Sequence, residues 1–247
     1  MSSSRPGCVV LEYCGHSCFY VEVGDLRICL DPHDGESVGL GRPSKPADLV
    51  LVTHKHFDHD AVSIVSKPDS LVLVELEGFR RLKLREVEVE IEGFRAPHDR
   101  VGGRRRGLTS LYKLRVNGVT LIHAGDIGAP LSPDLIEKLS GPRPDFLMVP
   151  VGGFFTIEPY EAWELAELVK PVYVVPMHYW VPGSMLPLYP VYDFFLSAKT
   201  GRIELDGSSF FYCRGQGEPA EKTRILYFSS MATEPRSPRP ASGEPRY

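Results

Sequence analysis

This sequence has no cationic surplus: 28 lysines and arginines stand against 32 aspartates and glutamates, a formal net charge of -4 at pH 7. That balance argues against a chain whose main task is to coat nucleic acid or an anionic membrane, because those partners favour a basic surface. No apolar run approaches the roughly 20 residues that span a bilayer. Met1 to Gly7 lacks the apolar stretch of a signal peptide, so the chain is expected to be cytoplasmic, with no membrane partner. Cysteine is sparse as well. Cys8, Cys14, Cys18, Cys29 and Cys213 form neither a Cys-x-x-Cys element nor a paired framework, so they are expected to be reduced, buried thiols.

What is present suits one large domain. A chain of 247 residues can bury a single continuous core, and 43% hydrophobic with 24% charged content excludes a wholly disordered or collagen-like polymer. Residues 1–228 are read as the folded unit. From Ser229 onward the chain is rich in Ser, Pro, Arg and Glu and is read as a disordered tail, 229–247.

The first half reads mostly as sheet. Val9-Val10-Leu11, the alternating Phe19, Val21 and Val23, and Leu26 to Leu30 after Gly24-Asp25 predict two or three meandering strands over 8–31. Leu49 to Val52 is a short apolar run that ends abruptly in polar residues, as a buried strand delivering side chains to a site does. Further strands are expected at 71–76, 86–92, 109–116 and 119–123, the last two joined by Asn117-Gly118, a type I′ hairpin signal. Arg80, Arg81, Lys83 and Arg85 read as a solvated helical or edge face. In the second half, Ser132 to Leu139 and Pro159 to Val169 carry helical spacing behind a capping residue or proline, and Asp145 to Pro150 and Val172 to Met177 follow as buried strands. Meander first and strand–helix alternation later predict a layered α/β (α+β) fold with helices outside a central β-sandwich.

The chemistry concentrates in Thr53-His54-Lys55-His56-Phe57-Asp58-His59-Asp60, directly after the run at 49–52. In an extended segment His54 and His56 point the same way and can grip one ion, while the following turn can swing Asp58 and His59 toward a second. Imidazole with carboxylate suits Zn²⁺, Mn²⁺ or Fe, and no nearby cysteine suggests a closed structural zinc site. A His-rich surface turn is the plain alternative. Against it, His98, Asp126 and His178 each arrive at or soon after the end of an apolar run.

With Gly15-His16-Ser17, Leu30-Asp31-Pro32, His123-Ala124-Gly125-Asp126, Val151-Gly152-Gly153 and Pro176-Met177-His178-Tyr179, the chain from Val9 to Tyr179 resembles the metallo-β-lactamase superfamily. It looks nearest to the branch of metal-dependent hydrolases related to ascorbate-6-phosphate lactonase. The resemblance implies a four-layer αββα sandwich. It implies His54, His56 and His98 on one ion, Asp58, His59 and His178 on a second, and Asp126 bridging both. Diiron relatives that reduce oxygen or nitric oxide carry glutamate at the position of His56, so its identity favours hydrolysis. Two departures affect the pocket wall: His33 after Asp31-Pro32, and Phe154-Phe155 after Gly152-Gly153.

Other residues receive secondary roles. Asp31 is expected to orient a ligating imidazole, with a turn-initiating Asp before Pro32 as the alternative. His16 and His123 are read as lining the site or moving protons, against packed core histidines. Arg104 and Arg105, in a basic loop with Arg100 and Arg106 around Gly102-Gly103, are read as a clamp for a substrate anion, against a mobile loop serving solubility. Tyr179 is read as pocket wall or core.

The expected cofactors are two divalent metal ions, Zn foremost with Mn or Fe as alternatives. The expected reaction is hydrolysis of an ester, lactone or phosphoester in a small anionic substrate by a bridging hydroxide, with catalytic roles for Asp58 and for His123 as a donor to the leaving oxygen. The competing readings are a phosphodiesterase or nuclease and a catalytically silent metal-binding module. A small molecule is the expected partner, nucleic acid is not, and a homo-oligomer is left open.

Overall fold

The opening meander forms as β1 (Cys8–Tyr13), β2 (Phe19–Val23) and β3 (Leu26–Leu30), followed by β4 (Ala47–Val52), the single-turn α1 (Val62–Val65) and β5 (Ser66–Val74). Then come β6 (Gly78–Leu84), β7 (Val87–Pro97), β8 (Leu108–Val116) and β9 (Val119–His123). Alternation follows with α2 (Pro133–Ser140), β10 (Phe146–Pro150), α3 (Pro159–Val169), β11 (Tyr173–Met177) and α4 (Val191–Ser197). The chain closes with β12 (Arg202–Leu205), β13 (Ser209–Cys213) and β14 (Arg224–Phe228). These elements belong to a computed structural model that describes residues 5–216 and 222–233.

The strands make two sheets, one of six in the order β13-β1-β2-β3-β4-β5 and one of eight in the order β12-β14-β11-β10-β9-β8-β7-β6. Their facing side chains, among them Leu11, Phe19, Ile28, Leu49, Leu51, Leu114, Leu121, Phe146 and Val174, form one buried core. The sandwich is thus the expected one. Leu49 and Leu51 enter this core while Val50 and Val52 pack in a second cluster on the other face of the same strand, which explains why the run shows no alternation. α1 covers part of that outer face through Val62, Ile64 and Val65, so the helical layer on this side is reduced to one turn.

Local chemistry sets the boundaries. Asn117 and Gly118 both take positive φ, 50° and 80°, and turn β8 into β9 as the type I′ signal predicts. Ser132 accepts the Leu135 N–H to cap α2, and Glu161 Oε2 accepts the Glu158 N–H at 2.8 Å at the start of α3. α3 buries Ala162, Trp163, Leu165, Ala166 and Val169 against the sheet. No helix among the described residues is long and apolar enough to cross a membrane.

Two expectations change and an open one is decided. The basic stretch at 80–85, read as a helical or edge face, is an edge: Gly78–Leu84 is the last strand of its sheet, paired antiparallel with β7, with Arg80 and Arg81 exposed. Cys8 and Cys213 are opposite each other in the β1–β13 ladder and joined in a disulfide, which overturns the expectation of five reduced thiols. Cys14, Cys18 and Cys29 are free and buried. The inference of a cytoplasmic chain loses its support from the cysteines. The stretch read as a tail begins in contact with the fold, because the Ala232 N–H donates to Tyr13 O (2.8 Å) and Met231 packs on the core. Residues 234–247 lie outside the described residues.

Candidate metal centre

The site sits where strands of both sheets end. Thr53 to His59 leave β4 and turn tightly, with the His59 N–H donating to His56 O (2.9 Å). The Ser110 N–H donates to Thr53 O (2.8 Å), which pins this turn of the six-stranded sheet to β8 of the other. His98 follows β7, Asp126 follows β9 and His178 follows β11. Two glycines make room. A Cβ on Gly152 would lie 2.1 Å from His178 O, and one on Gly125, whose φ is +56°, would lie 2.5 Å from Thr109 Oγ1.

The seven expected ligands converge. Donor atoms of His54, His56 and His98 lie within 4.8 Å of one another, as do those of His16, Asp58, His59 and His178. Asp126 stands between the two sets. Its Oδ2 is 3.1 Å from Nε2 of both His59 and His178, 3.7 Å from His98 Nε2 and 4.0 Å from His54 Nε2. Its carboxylate thus lies within 4.0 Å of imidazole nitrogens from both sets.

Whether the residues suit divalent ions is decided by their unmet polar atoms. His54 Nε2 and Asp126 Oδ1 are buried without a hydrogen-bond partner among the described residues, and Nε2 of His59 and of His178, though 3.1 Å from Asp126 Oδ2, does not meet it in hydrogen-bond geometry. Each such atom costs about 1–3 kcal/mol when nothing meets it, and lone-pair nitrogens grouped with a carboxylate oxygen are a donor set for Zn²⁺ or similar ions. The electrostatics agree. Burial pushes His54 down to about 3 and His98 to about 4, keeping both neutral as ligation requires. Burial opposes ionisation of Asp58 and Asp126, yet the surrounding imidazoles hold both below the ordinary carboxylate range. Burial likewise opposes charge on His59, but the carboxylates of Asp126, Asp58 and Asp31 raise its pKa well above the usual value. Three carboxylates around one imidazole make this a position that calls for positive charge.

Asp31 plays the expected orienting part. Its carboxylate accepts the Thr53 N–H (2.7 Å), the Thr53 hydroxyl (2.6 Å) and His59 Nδ1–H (2.9 Å), so the Nε2 of His59 faces Asp126. Because the Thr53 hydroxyl donates to Asp31, it can only accept from His54 Nδ1–H at 3.0 Å, which leaves His54 Nε2 unprotonated and aimed inward.

Other residues settle differently. His16 joins the cluster directly, its Nε2 3.0 Å from Asp58 Oδ2. His123 does not join it: Nε2 donates to Ser17 O (2.9 Å), Nδ1 accepts the Gly125 N–H (3.2 Å), and the ring is fully buried. Tyr179 packs in the core on Tyr13, ring centroids 6.2 Å apart, rather than on the pocket wall. Arg104 donates to Val101 O (3.0 Å) and does not line the cavity, whereas Arg105 does.

That cavity, about 540 Å³, opens beside His56 and His98. One wall is the loop after His98, which is built rather than loose: Asp99 accepts backbone N–H groups from Val101, Gly103, Arg105 and Arg106 at 2.8–2.9 Å. Although burial opposes it, these four donors bring Asp99 down to about 2. Arg100 is engaged elsewhere, in a two-pronged pair with Glu161 at 3.0 and 2.5 Å. Asp99 escaped the sequence reading, and Thr53, though quoted in the signature, was given no part in aiming the imidazoles. An Asp shortly before Gly102-Gly103 was the available signal for Asp99, since such a side chain commonly nucleates a turn.

Comparison with known proteins gives a consistent picture. A family profile described as a β-lactamase superfamily domain matches residues 10–178. A metal-dependent hydrolase of Pyrococcus horikoshii is 36% identical over 202 residues, covering 72% of this chain and 89% of the relative. One from Pyrococcus furiosus is 34% identical over 202 residues with the same coverage. Among solved structures, a metallo-β-lactamase superfamily protein of Thermotoga maritima superposes with TM-score 0.66 at 26% identity, covering 89% of this chain and 98% of the other.

Proposed function

Because the chain belongs to the β-lactamase superfamily, we propose that it is a metal-dependent hydrolase with a dinuclear centre, acting on an ester, lactone or phosphoester bond of a small anionic molecule. His54, His56 and His98 would hold one ion and Asp58, His59 and His178 the other, with Asp126 placed between the two sets. The observation that carries this reading is the set of partnerless buried donors around Asp126, beside a cavity large enough for a small molecule that His56 and His98 line. Bound divalent ions supply Lewis acidity and lower the pKa of a coordinated water toward neutrality.

The protein's own residues do the rest. Asp31 and Thr53 fix the tautomers and aim of His59 and His54 before any substrate arrives. Arg105 and Arg106, on the wall built by Asp99, hold the substrate's anion. Nothing in the reaction is assigned to His123, whose ring nitrogens are both engaged by backbone. The zinc preference, with Mn or Fe as alternatives, follows from the imidazole and carboxylate donors.

The test pairs metal content with turnover. Asp126→Ala loses tightly held metal by elemental analysis and loses activity on a panel of sugar-phosphate lactones, aryl esters and phosphodiesters. Wild-type metal content in that variant refutes the ligand assignment. Preferential turnover of RNA in the wild type moves the protein to the nuclease reading.

A further inference from the structure

The walls of the cavity beside His56 and His98 differ in kind. On one side, the Arg106 guanidinium lies 4.2 Å above the Phe155 ring, and neither Arg105 nor Arg106 has a side-chain ion-pair partner among the described residues. Asp99 engages both its oxygens with loop N–H groups, and Arg100 is paired with Glu161. Two guanidinium groups that make no ion pair with the described residues therefore line the cavity. Beside Phe155, ring centroids 6.5 Å apart, stands Phe154, 60% exposed and backed at 4.9 Å by the ring of Tyr189.

Phe154 is anomalous twice over. Its φ is +54°, a left-handed conformation that bulky L-residues rarely adopt, and it leaves a large apolar ring in solvent. The fold does not need that ring, which lies outside the buried core. The backbone is nevertheless pressed against the platform: a Cβ on Gly153 would lie 2.5 Å from a ring carbon of Tyr189. Local strain and an exposed aromatic together at a cavity wall indicate a surface kept for a ligand.

We infer that the cavity takes a molecule bearing both an anionic group and an aromatic ring, the anion on Arg105 and Arg106 and the ring on Phe154, which Tyr189 backs from outside the cavity. This rests on the hydrolase reading for the bond broken between them, but recognition itself does not require turnover. Guanidinium groups match the oxygens of a carboxylate or phosphate, and offset stacking suits a flat apolar group. Glu158 also lines the cavity, and its charge adds to the exclusion of a second acid group on that substrate.

The inference is tested by calorimetric binding of phenylphosphonate and methylphosphonate to the zinc-loaded full chain, since neither carbon–phosphorus bond is hydrolysed. The wild type binds the phenyl compound at least tenfold more tightly. Phe154→Asn, which tolerates the left-handed backbone, cuts that preference below threefold and leaves methylphosphonate binding unchanged. Arg106→Gln weakens both about tenfold. Equal affinities in the wild type, or a preference that survives in Phe154→Asn with an unchanged melting curve, overturns the inference. A protein that discriminates the phosphonates but turns over no ester loses the hydrolase reading and keeps the ligand site. One that hydrolyses esters without discriminating keeps the hydrolase reading alone.

Discussion

His16 Nε2 donates to Asp58 Oδ2 across 3.0 Å, deep in the site and 3% exposed. Burial pushes His16 down to about 3, so the ring is neutral and its single N–H is the one given to Asp58. Its carbonyl also accepts the His178 N–H at 2.8 Å, so one residue steadies two members of the second donor set. His16→Ala is expected to weaken the second ion ten- to a hundredfold, in line with other outer partners of metal ligands. The ion on His54, His56 and His98 stays. Titration of the metal-free protein with zinc should show two classes of site in the wild type separating further in the variant. Equal affinities for both ions in His16→Ala would mean the contact is incidental.

Asp99 organises the basic wall through four backbone N–H groups. Removing it in Asp99→Ala releases Arg105 and Arg106 from a fixed position, so KM rises about tenfold while kcat changes little, as expected when binding rather than the chemical step is affected. A matching fall in kcat with unchanged KM would place Asp99 in the reaction instead. The carboxyl's pKa is depressed in the folded state, to about 2. Its contribution is therefore complete above about pH 4 and is lost as pH falls toward 2, which leaves the loop intact at neutral pH.

The Cys8–Cys213 bond closes a loop of 205 residues between the first and thirteenth strands. Loop-closure entropy for that length predicts about 5 kcal/mol of stabilisation, an upper figure because reduced chains keep some structure. Cys213→Ser, or reductant added to the wild type, should lower the urea midpoint by an amount worth about 2–5 kcal/mol. Identical midpoints with and without reductant would show that the bond does not form in solution.

His33 supplies a pH test away from the ions. It is fully buried, its Nε2 3.0 Å from Cys14 O and its Nδ1 accepting the Gly35 N–H, and burial pushes it down to about 4. Below the ordinary value near 6.5 the unfolded chain binds a proton that the folded chain refuses, so stability falls as pH drops from 6.5 to 4. The full loss is about 3 kcal/mol from this group. His33→Gln should be less stable at pH 7 yet lose less between pH 6.5 and 4. A parallel decline in both proteins would assign that acid sensitivity to other groups.

The parts of the fold written in local chemistry were legible. Ser132 with Pro133, and Pro159, marked both longer helices to within a residue, and the apolar runs ending at Val52, Pro150 and Met177 marked strands buried on both faces. What depends on distant partners was not. β13 owes its place to β1, about 200 residues earlier in the chain, and no spacing of cysteines reveals that pairing. β6 exposes most of its side chains, so it shows no buried alternation. Within the site, His123 and His178 look alike as histidines closing apolar runs. Their difference lies in Ser17 O, 106 residues from His123, which engages one ring nitrogen and turns it away.

The donors that surround Asp126 come from β4, β7 and β11 and from the turn holding His16, so they span residues 16 to 178. A nascent chain emerging from the ribosome possesses His54, His56 and His98 long before it possesses His178. His178 is the last of these side chains to be synthesised, so the donor set around Asp126 is complete only after β11 has docked beside β10. A cage gathered from so far along the chain ties any ion it would hold to the finished sandwich rather than to one of its pieces.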